Sequence, residues 1–253
     1  MPDLRWLGRG FVFVLLTVLT QVGGLAYLVA LATRRKLLVF VLAYAAVWGG
    51  VQIAAPLVGR VALPCFGEPL RMQSPLYCGL MRNFVTAELA DVAQDVAQNM
   101  AEGYSGTVTL ALDGSFPFFD GFPLLPHLSH DDGEKLDLAF YYQDEKGYLP
   151  AATRSPLGYF AFEALRDGAV DDTCPATWAT MRWDLRWLQG IWADHDLDQT
   201  RTAALIRLLA ADQRVAKIFV EPPLGQSMGL ADPKLRFQGC RAARHDDHIH
   251  LQL

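Results

Sequence analysis

The sequence has no excess of positive charge: 22 Lys and Arg stand against 27 Asp and Glu, a formal net charge of -5. After residue 60 the cations are scattered rather than massed, so a broad electrostatic surface for nucleic acid is excluded as a first reading. Cysteine is scarce, with four in 253 residues. None lies in a C-x-x-C pair, which removes the spacings of zinc ribbons and thioredoxin-like redox sites. Internal repeats and low-complexity segments are absent, and no arginine occurs between Arg82 and Arg154.

What is present begins with apolar length. Phe11 to Ala32 carries no charge and is long enough to span a bilayer, its Gly23-Gly24 pair being tolerated in such helices. After Arg34-Arg35-Lys36 a second uncharged stretch runs from Leu37 to Gly59. This pattern predicts a membrane anchor over residues 1–59, with two antiparallel transmembrane helices at about 11–32 and 37–59. The first stretch exceeds the apolar core of a signal peptide. Arg34, Arg35 and Lys36 in the turn are balanced by Arg5, Arg9, Arg60 and Arg71 at the outer ends, so the charges do not fix orientation. Cys65, Cys78, Cys174 and Cys240 all follow the apolar stretches, and their even number suits two disulfides outside the cytoplasm. Cys65 with Cys78 and Cys174 with Cys240 is one such pairing, which spacing alone does not fix.

Residues 60–82 mix proline, glycine and polar residues as a linker does, leaving residues 83–253 as the folded domain. Val85, Leu89, Val92, Val96 and Met100 mark one face of a helix that Gly103 ends. Thr107 to Leu112 reads as a strand, Gly114 to Pro126 as a long loop, and Leu136 to Tyr142 as a strand with Asp137 in its apolar centre. Thr177 to Trp192 and Thr200 to Ala211 have helical spacing, the second with Asp198 as cap, and Trp178, Trp183, Trp187 and Trp192 are expected to pack that region. Val215 to Val220 and His248 to Leu253 complete an α+β pattern as strands.

Five of the six histidines fall in two short segments, His127 with His130 and His245 with His248 and His250. Period-two geometry puts His248 and His250 on one strand face, about 7 Å apart. His130 on a loop, Asp137 on a strand and His250 would supply the three nitrogen or oxygen ligands of a catalytic zinc, leaving a fourth position for water. His248, on the same face as a ligand, suits the general base, and peptide hydrolysis is the matching reaction class. Taken singly, Asp137 could be a buried acid bonded to backbone amides and His127 a locally bonded loop residue. His195 reads as a solvated helix-end residue, and the Asp131-Asp132 and Asp246-Asp247 pairs as orienting groups or exposed acids.

These pieces resemble the LAS metallopeptidases, which include D-Ala-D-Ala carboxypeptidases and dipeptidases, and most closely their penicillin-insensitive murein endopeptidase branch. The matching residues are Ser129-His130 through Gly133 to Asp137-Leu138, and His245-Asp246-Asp247-His248-Ile249-His250. Leu205 to Pro222 looks like the helix and strand that precede the final motif, and the likeness covers roughly residues 105 to 253. It implies a small antiparallel sheet with flanking helices and zinc on His130, Asp137 and His250. It also implies His248 as base, with His245 assisting, and His127, Ser129 and Asp247 near the metal or substrate. The expectation is a membrane-anchored, zinc-dependent peptidoglycan peptidase of the bacterial inner membrane, its catalytic domain facing the periplasm. Alternatives are a non-catalytic, metal-containing module that binds wall peptides or a membrane-protein partner, and a D,D-carboxypeptidase. Two departures stand out: relatives carry an arginine upstream of the first metal histidine to engage a substrate carboxylate, and they lack the apolar hairpin.

Overall fold

The structure is a computed structural model that describes residues 4–163, 174, 182 and 185–253. Along the chain, helices α1 (Leu4–Thr20), α2 (Gly23–Leu31) and α3 (Lys36–Ala54) precede a 3-10 turn (Ala55–Val58). Then come β1 (Arg60–Ala62), β2 (Leu70–Met72), α4 (Pro75–Gly79), β3 (Phe84–Thr86), α5 (Ala87–Gly103), β4 (Thr109–Ala111) and β5 (Lys135–Ala139). The remainder holds β6 (Tyr142–Asp144), β7 (Gly147–Tyr148), α6 (Arg186–Gln189), β8 (Asp196–Leu197) and α7 (Gln199–Ala211). It ends with β9 (Lys217–Phe219), α8 (Pro222–Ser227), β10 (Leu235–Arg236) and β11 (His248–Gln252). The chain forms two compact units. The first comprises Met1–Leu63, Pro75–Ala90 and Asp113–Lys135, and the second Pro64–Ser74, Asp91–Leu112 and Leu136–Leu253.

In the first unit the expected pair of spanning helices is corrected. Among the described residues one helix, Lys36–Val58, is long and apolar enough to cross a membrane. The stretch read as a span over residues 11–32 breaks at Gln21, whose φ is +65°. The hydroxyls explain the break. Thr17 Oγ1 and Thr20 Oγ1 donate back to the carbonyls of Phe13 and Leu16, a contact that bends helices, and Gly23 N donates to Thr20 Oγ1 at 2.8 Å rather than to a helix carbonyl. The chain then folds back. A Cβ on Gly24 would come within 2.8 Å of the Phe13 ring, although eleven residues of continuous helix would separate the two by roughly 16 Å. Glycine at 23 and 24 is therefore a condition for α1 and α2 to touch.

The same unit has its own core, in which Val22, Val51 and Ala55 from the helices meet Met81 and Phe84, with Tyr44, Val47, Trp48 and Phe118 packed against them. β1 pairs antiparallel with β3. The loop from Asp113 to Lys135 is fastened into this unit: Gln21 Oε1 accepts from Phe118 N at 3.0 Å, Arg60 pairs with Asp120, and Gly133 O accepts from Thr86 N at 2.9 Å. Gly133, at φ +75°, leaves no room for a Cβ, which would lie 2.5 Å from the Arg60 guanidinium carbon.

The second unit is built on a six-stranded sheet in the order β10-β9-β11-β5-β4-β2, with a separate three-stranded sheet β7-β6-β8. The larger sheet is mixed rather than antiparallel as expected: β10 runs parallel to β9 and β2 parallel to β4, while β11 is antiparallel to β9 and β4 to β5. Short strands separated by helices can join an edge in either sense, and sequence pattern does not report which. The core gathers Leu110, Leu136, Leu138, Ile249 and Leu251 from the strands with Val92, Val96 and Met100 of α5 and Leu205, Ile206 and Leu209 of α7. The predicted apolar stripe of α5 is therefore buried, although Val85 belongs to β3 and the helix starts at Ala87. Asp198 caps α7, accepting from Arg201 N at 3.0 Å. Trp178, Trp183 and the rest of residues 177–181, 183 and 184 lie outside the described residues, and in the described part of the helix expected from Thr177 to Trp192 the helix is limited to Arg186–Gln189. Trp187, expected to pack, is exposed, and Trp192 instead uses its indole N–H on the Phe160 carbonyl at 2.9 Å.

Candidate metal and proton-transfer site

The C-terminal histidines are placed by β11. His248 and His250 share one face of the strand, Ile249 and Leu251 the other, and all four are buried. A neighbouring strand, β5, presents Asp137, 1% exposed. An acid so deeply buried must be satisfied by hydrogen bonds or charge. Asp137 Oδ1 lies 2.7 Å from His250 Nδ1, and Asp137 Oδ2 accepts from the Tyr159 hydroxyl at 2.7 Å. His248 Nε2 is 3.7 Å from Asp137 Oδ2. The second unit thus brings Asp137, His248 and His250 together, and His245 joins them with its ring centroid 4.9 Å from that of His248 and 5.6 Å from that of His250.

Around this group the chain fixes ring orientation. Asp247 Oδ1 sits 2.5 Å from His248 Nδ1 while Asp247 Oδ2 accepts from Phe160 N at 2.5 Å. Phe160 has a φ of +66°, an expensive conformation for a bulky residue, yet its N–H and its carbonyl are both held, the carbonyl by Gln189 and Trp192. Tyr159, one residue earlier, stands edge-on to His248 with ring centroids 4.9 Å apart. His245 is held through its backbone: its N–H donates to Glu221 Oε1 at 3.1 Å and its carbonyl accepts from Glu221 N at 3.0 Å. Glu221 in turn forms a buried two-point ion pair with Arg182.

Electrostatics follow from crowding carboxylates round an imidazole. Burial alone would push the His248 ring down, but Asp137, Asp247 and Asp246 outweigh it and hold the pKa up to about 9. Burial raises Asp246 to about 6 against the pull of Arg244, with Asp247 and Glu221 adding to the rise. Both acids are buried rather than exposed: Asp247 faces the His248 ring, and Asp246 pairs with Arg244.

The first unit holds the other histidines. His130 is buried, its Nδ1 2.9 Å from the Gly114 carbonyl, and its ring lies 5.6 Å from that of the half-buried His127. His127 Nδ1 is 3.0 Å from Asp113 Oδ2. Asp113 also receives Arg82 in a two-point pair, at 2.6 and 2.8 Å, and Arg82 Nη1 donates to the Leu125 carbonyl. Burial would raise the Asp113 carboxyl, but the hydrogen bonds and charges of Arg82 and His127 bring it below its ordinary range. Ser129 is half-buried beside them, and Asp132 pairs with Lys135.

Tyr159, Asp113 and Glu221 escaped the sequence reading. Tyr159 sits in an irregular segment with no periodicity. The one local signal is Gly158, at φ +78°, where a Cβ would strike Leu112 at 2.4 Å. All four cysteines are disulfide-bonded, and Cys174 pairs with Cys240. No protein-family model matches the chain, and no curated protein matches it significantly.

Proposed function

We propose that this chain is a membrane-anchored, zinc-dependent peptidase of peptidoglycan, murein endopeptidase-like, acting on the outer face of a bacterial inner membrane. The supporting observation is the buried group on β5 and β11, where one acid and two imidazoles converge within hydrogen-bonding or near-bonding distance. The fit to a metal can be tested on distances. A tetrahedral ion with bonds of about 2.0–2.1 Å keeps its ligand atoms roughly 3.3 Å apart, so Asp137 Oδ1 and His250 Nδ1, at 2.7 Å, need open only slightly. His127 and His130, with ring centroids 5.6 Å apart in the first unit, offer two further imidazoles of the kind that hold a metal ion. The proposed ligands are His130, Asp137 and His250.

When bound, zinc would acidify a water and polarise the scissile carbonyl. The chain's own residues supply the rest. Asp247 fixes the His248 proton on Nδ1, so that Nε2 carries the lone pair that accepts a proton from water and returns it to the leaving amine. The high pKa of His248 arises from three carboxylates, of which Asp137 contributes most; with its charge taken up by a bound dication, Asp137 would no longer hold the proton on the ring. Tyr159 keeps Asp137 Oδ2 engaged, which favours ligation through Oδ1.

Arg82, the arginine upstream of His130, is buried against Asp113 and so is not offered to a terminal carboxylate. That supports cleavage of an internal cross-link over the D,D-carboxypeptidase reading. The test is hydrolysis of purified cross-linked muropeptides by the full chain in detergent micelles, with zinc content measured alongside. His248→Ala should keep zinc and lose roughly 100-fold or more in rate. Zinc retention with no cleavage by the wild-type chain supports the binding module instead. Zinc content unaffected by His130→Ala rejects the ligand set.

A further inference from the structure

Tyr44 and Trp48 of α3 make contacts that a simple tether does not need. Tyr44 and Trp48 lie about 12 and 18 Å along a helix of roughly 33 Å from Lys36, counting 1.5 Å per residue. Both are therefore in the middle portion of a helix matched to a hydrocarbon layer of about 30 Å. Yet each donates a hydrogen bond to a backbone carbonyl of α4: Tyr44 to Gly79 at 2.6 Å and Trp48 to Cys78 at 2.9 Å. If α3 crosses a bilayer, the end of α4 lies at bilayer depth.

The last carbonyls of a helix have no partner within it. Water satisfies them in a soluble protein, but lipid cannot, and a helix end in hydrocarbon must be satisfied by protein. The end of α4 meets that condition. Leu76 O accepts from Leu80 N, Tyr77 O from Arg82 N and Cys78 O from Met81 N, while Gly79 O takes Tyr44. The segment from Gln73 to Met81 has no charged residue. Its outward residues are Pro75, Leu76 and Gly79, with Leu76 51% exposed.

Charge sets the direction. Because α1 turns back at Gln21 onto α2, and α2 packs on α3, Arg5 and Arg9 share the end of the helices occupied by Arg34, Arg35 and Lys36. The opposite end holds the core of Val22, Val51 and Ala55 with Phe118. A cluster of cations at one end of an apolar bundle marks the cytoplasmic side.

We propose that α4 is inserted among the acyl chains beside α3, so that the unit carrying the His127–His130 loop reaches into the membrane through α4 rather than standing wholly above it. The proposal rests on reading α3 as a membrane span. Its partner is lipid.

The experiment uses the full chain in phospholipid nanodiscs. The native cysteines are all in disulfides, so Leu76→Cys, Pro75→Cys, Val41→Cys on α3 and Glu88→Cys on α5 each add one labelling position for an environment-sensitive fluorophore. Leu76 and Pro75 should lose fluorescence to acyl-chain spin-labelled lipid as strongly as Val41, while Glu88 responds only to an aqueous quencher. Quenching of Val41 with Leu76 and Pro75 behaving like Glu88 overturns the insertion of α4 and leaves the span intact. A Val41 label untouched by spin-labelled lipid overturns the span and the proposal together.

Discussion

The hydroxyl of Tyr159 donates to Asp137 Oδ2 at 2.7 Å while its ring stands edge-on to His248 at 4.9 Å. One side chain thus ties the proposed ligand to the proposed proton acceptor. Removing the partner of a ligating group typically costs 10–100-fold in metal affinity. Tyr159→Phe, which keeps the ring, is expected to weaken zinc binding by about that factor, read by competition with a chromophoric chelator. Affinity equal to wild type would mean that the hydroxyl only satisfies a buried acid.

Asp247 joins the His248 ring to the strained Phe160 backbone. Asp247→Ala should leave zinc content intact and lower kcat roughly 10–100-fold with little change in KM, since the residue orients an acceptor and does not touch substrate. A rise in KM at constant kcat would contradict that role.

Arg82 and Asp113 form a buried ion pair whose side chains are 9% and 2% exposed. Breaking such a pair from one side leaves a charge in the interior and costs about 3–5 kcal/mol, whereas replacing both partners with apolar groups can be neutral. Arg82→Met should therefore destabilise strongly in denaturant titration, and Arg82→Met with Asp113→Leu should recover much of the loss. His127, which also contacts Asp113, limits the recovery. A double variant no better than the single would refute the pairwise account.

Burial raises Glu163 to about 7 from an ordinary 4.5, against the opposing pull of Arg154. The folded state then binds a proton that the unfolded state has released between those two values. Its stabilising contribution is complete below about 4.5 and is lost as pH rises through 7, an effect on the order of 3 kcal/mol. The stability difference between wild type and Glu163→Gln should fall across this window and level off above it. A difference that is flat with pH would show that Glu163 is ionised in the folded protein throughout.

How much of this was legible beforehand varies with the range of the interaction. The periods of α5, α7, β9 and β11 are local properties, and the strands and helices appear within a few residues of where apolar spacing places them. The clustering of His127 with His130 and of His245 with His248 and His250 is likewise visible in one dimension, as is the shared face of the last two. The break at Gln21 was not, because the missing Cβ atoms at Gly23 and Gly24 matter only when α1 folds back on α2. Hydropathy sums over that segment and sees one apolar run.

The composition and spacing of the chain determined its candidate ligand types, its strand and helix periods, its apolar N-terminus and its even cysteine count. Tertiary structure decided the rest. It chose Tyr159, from a segment without pattern, to partner Asp137, and it placed Asp247 between His248 and Phe160 and committed Arg82 to Asp113. It also mixed the strand directions of the main sheet. The reason is that a buried polar group must find its partner wherever the fold supplies one, and that partner's distance along the chain carries no signal.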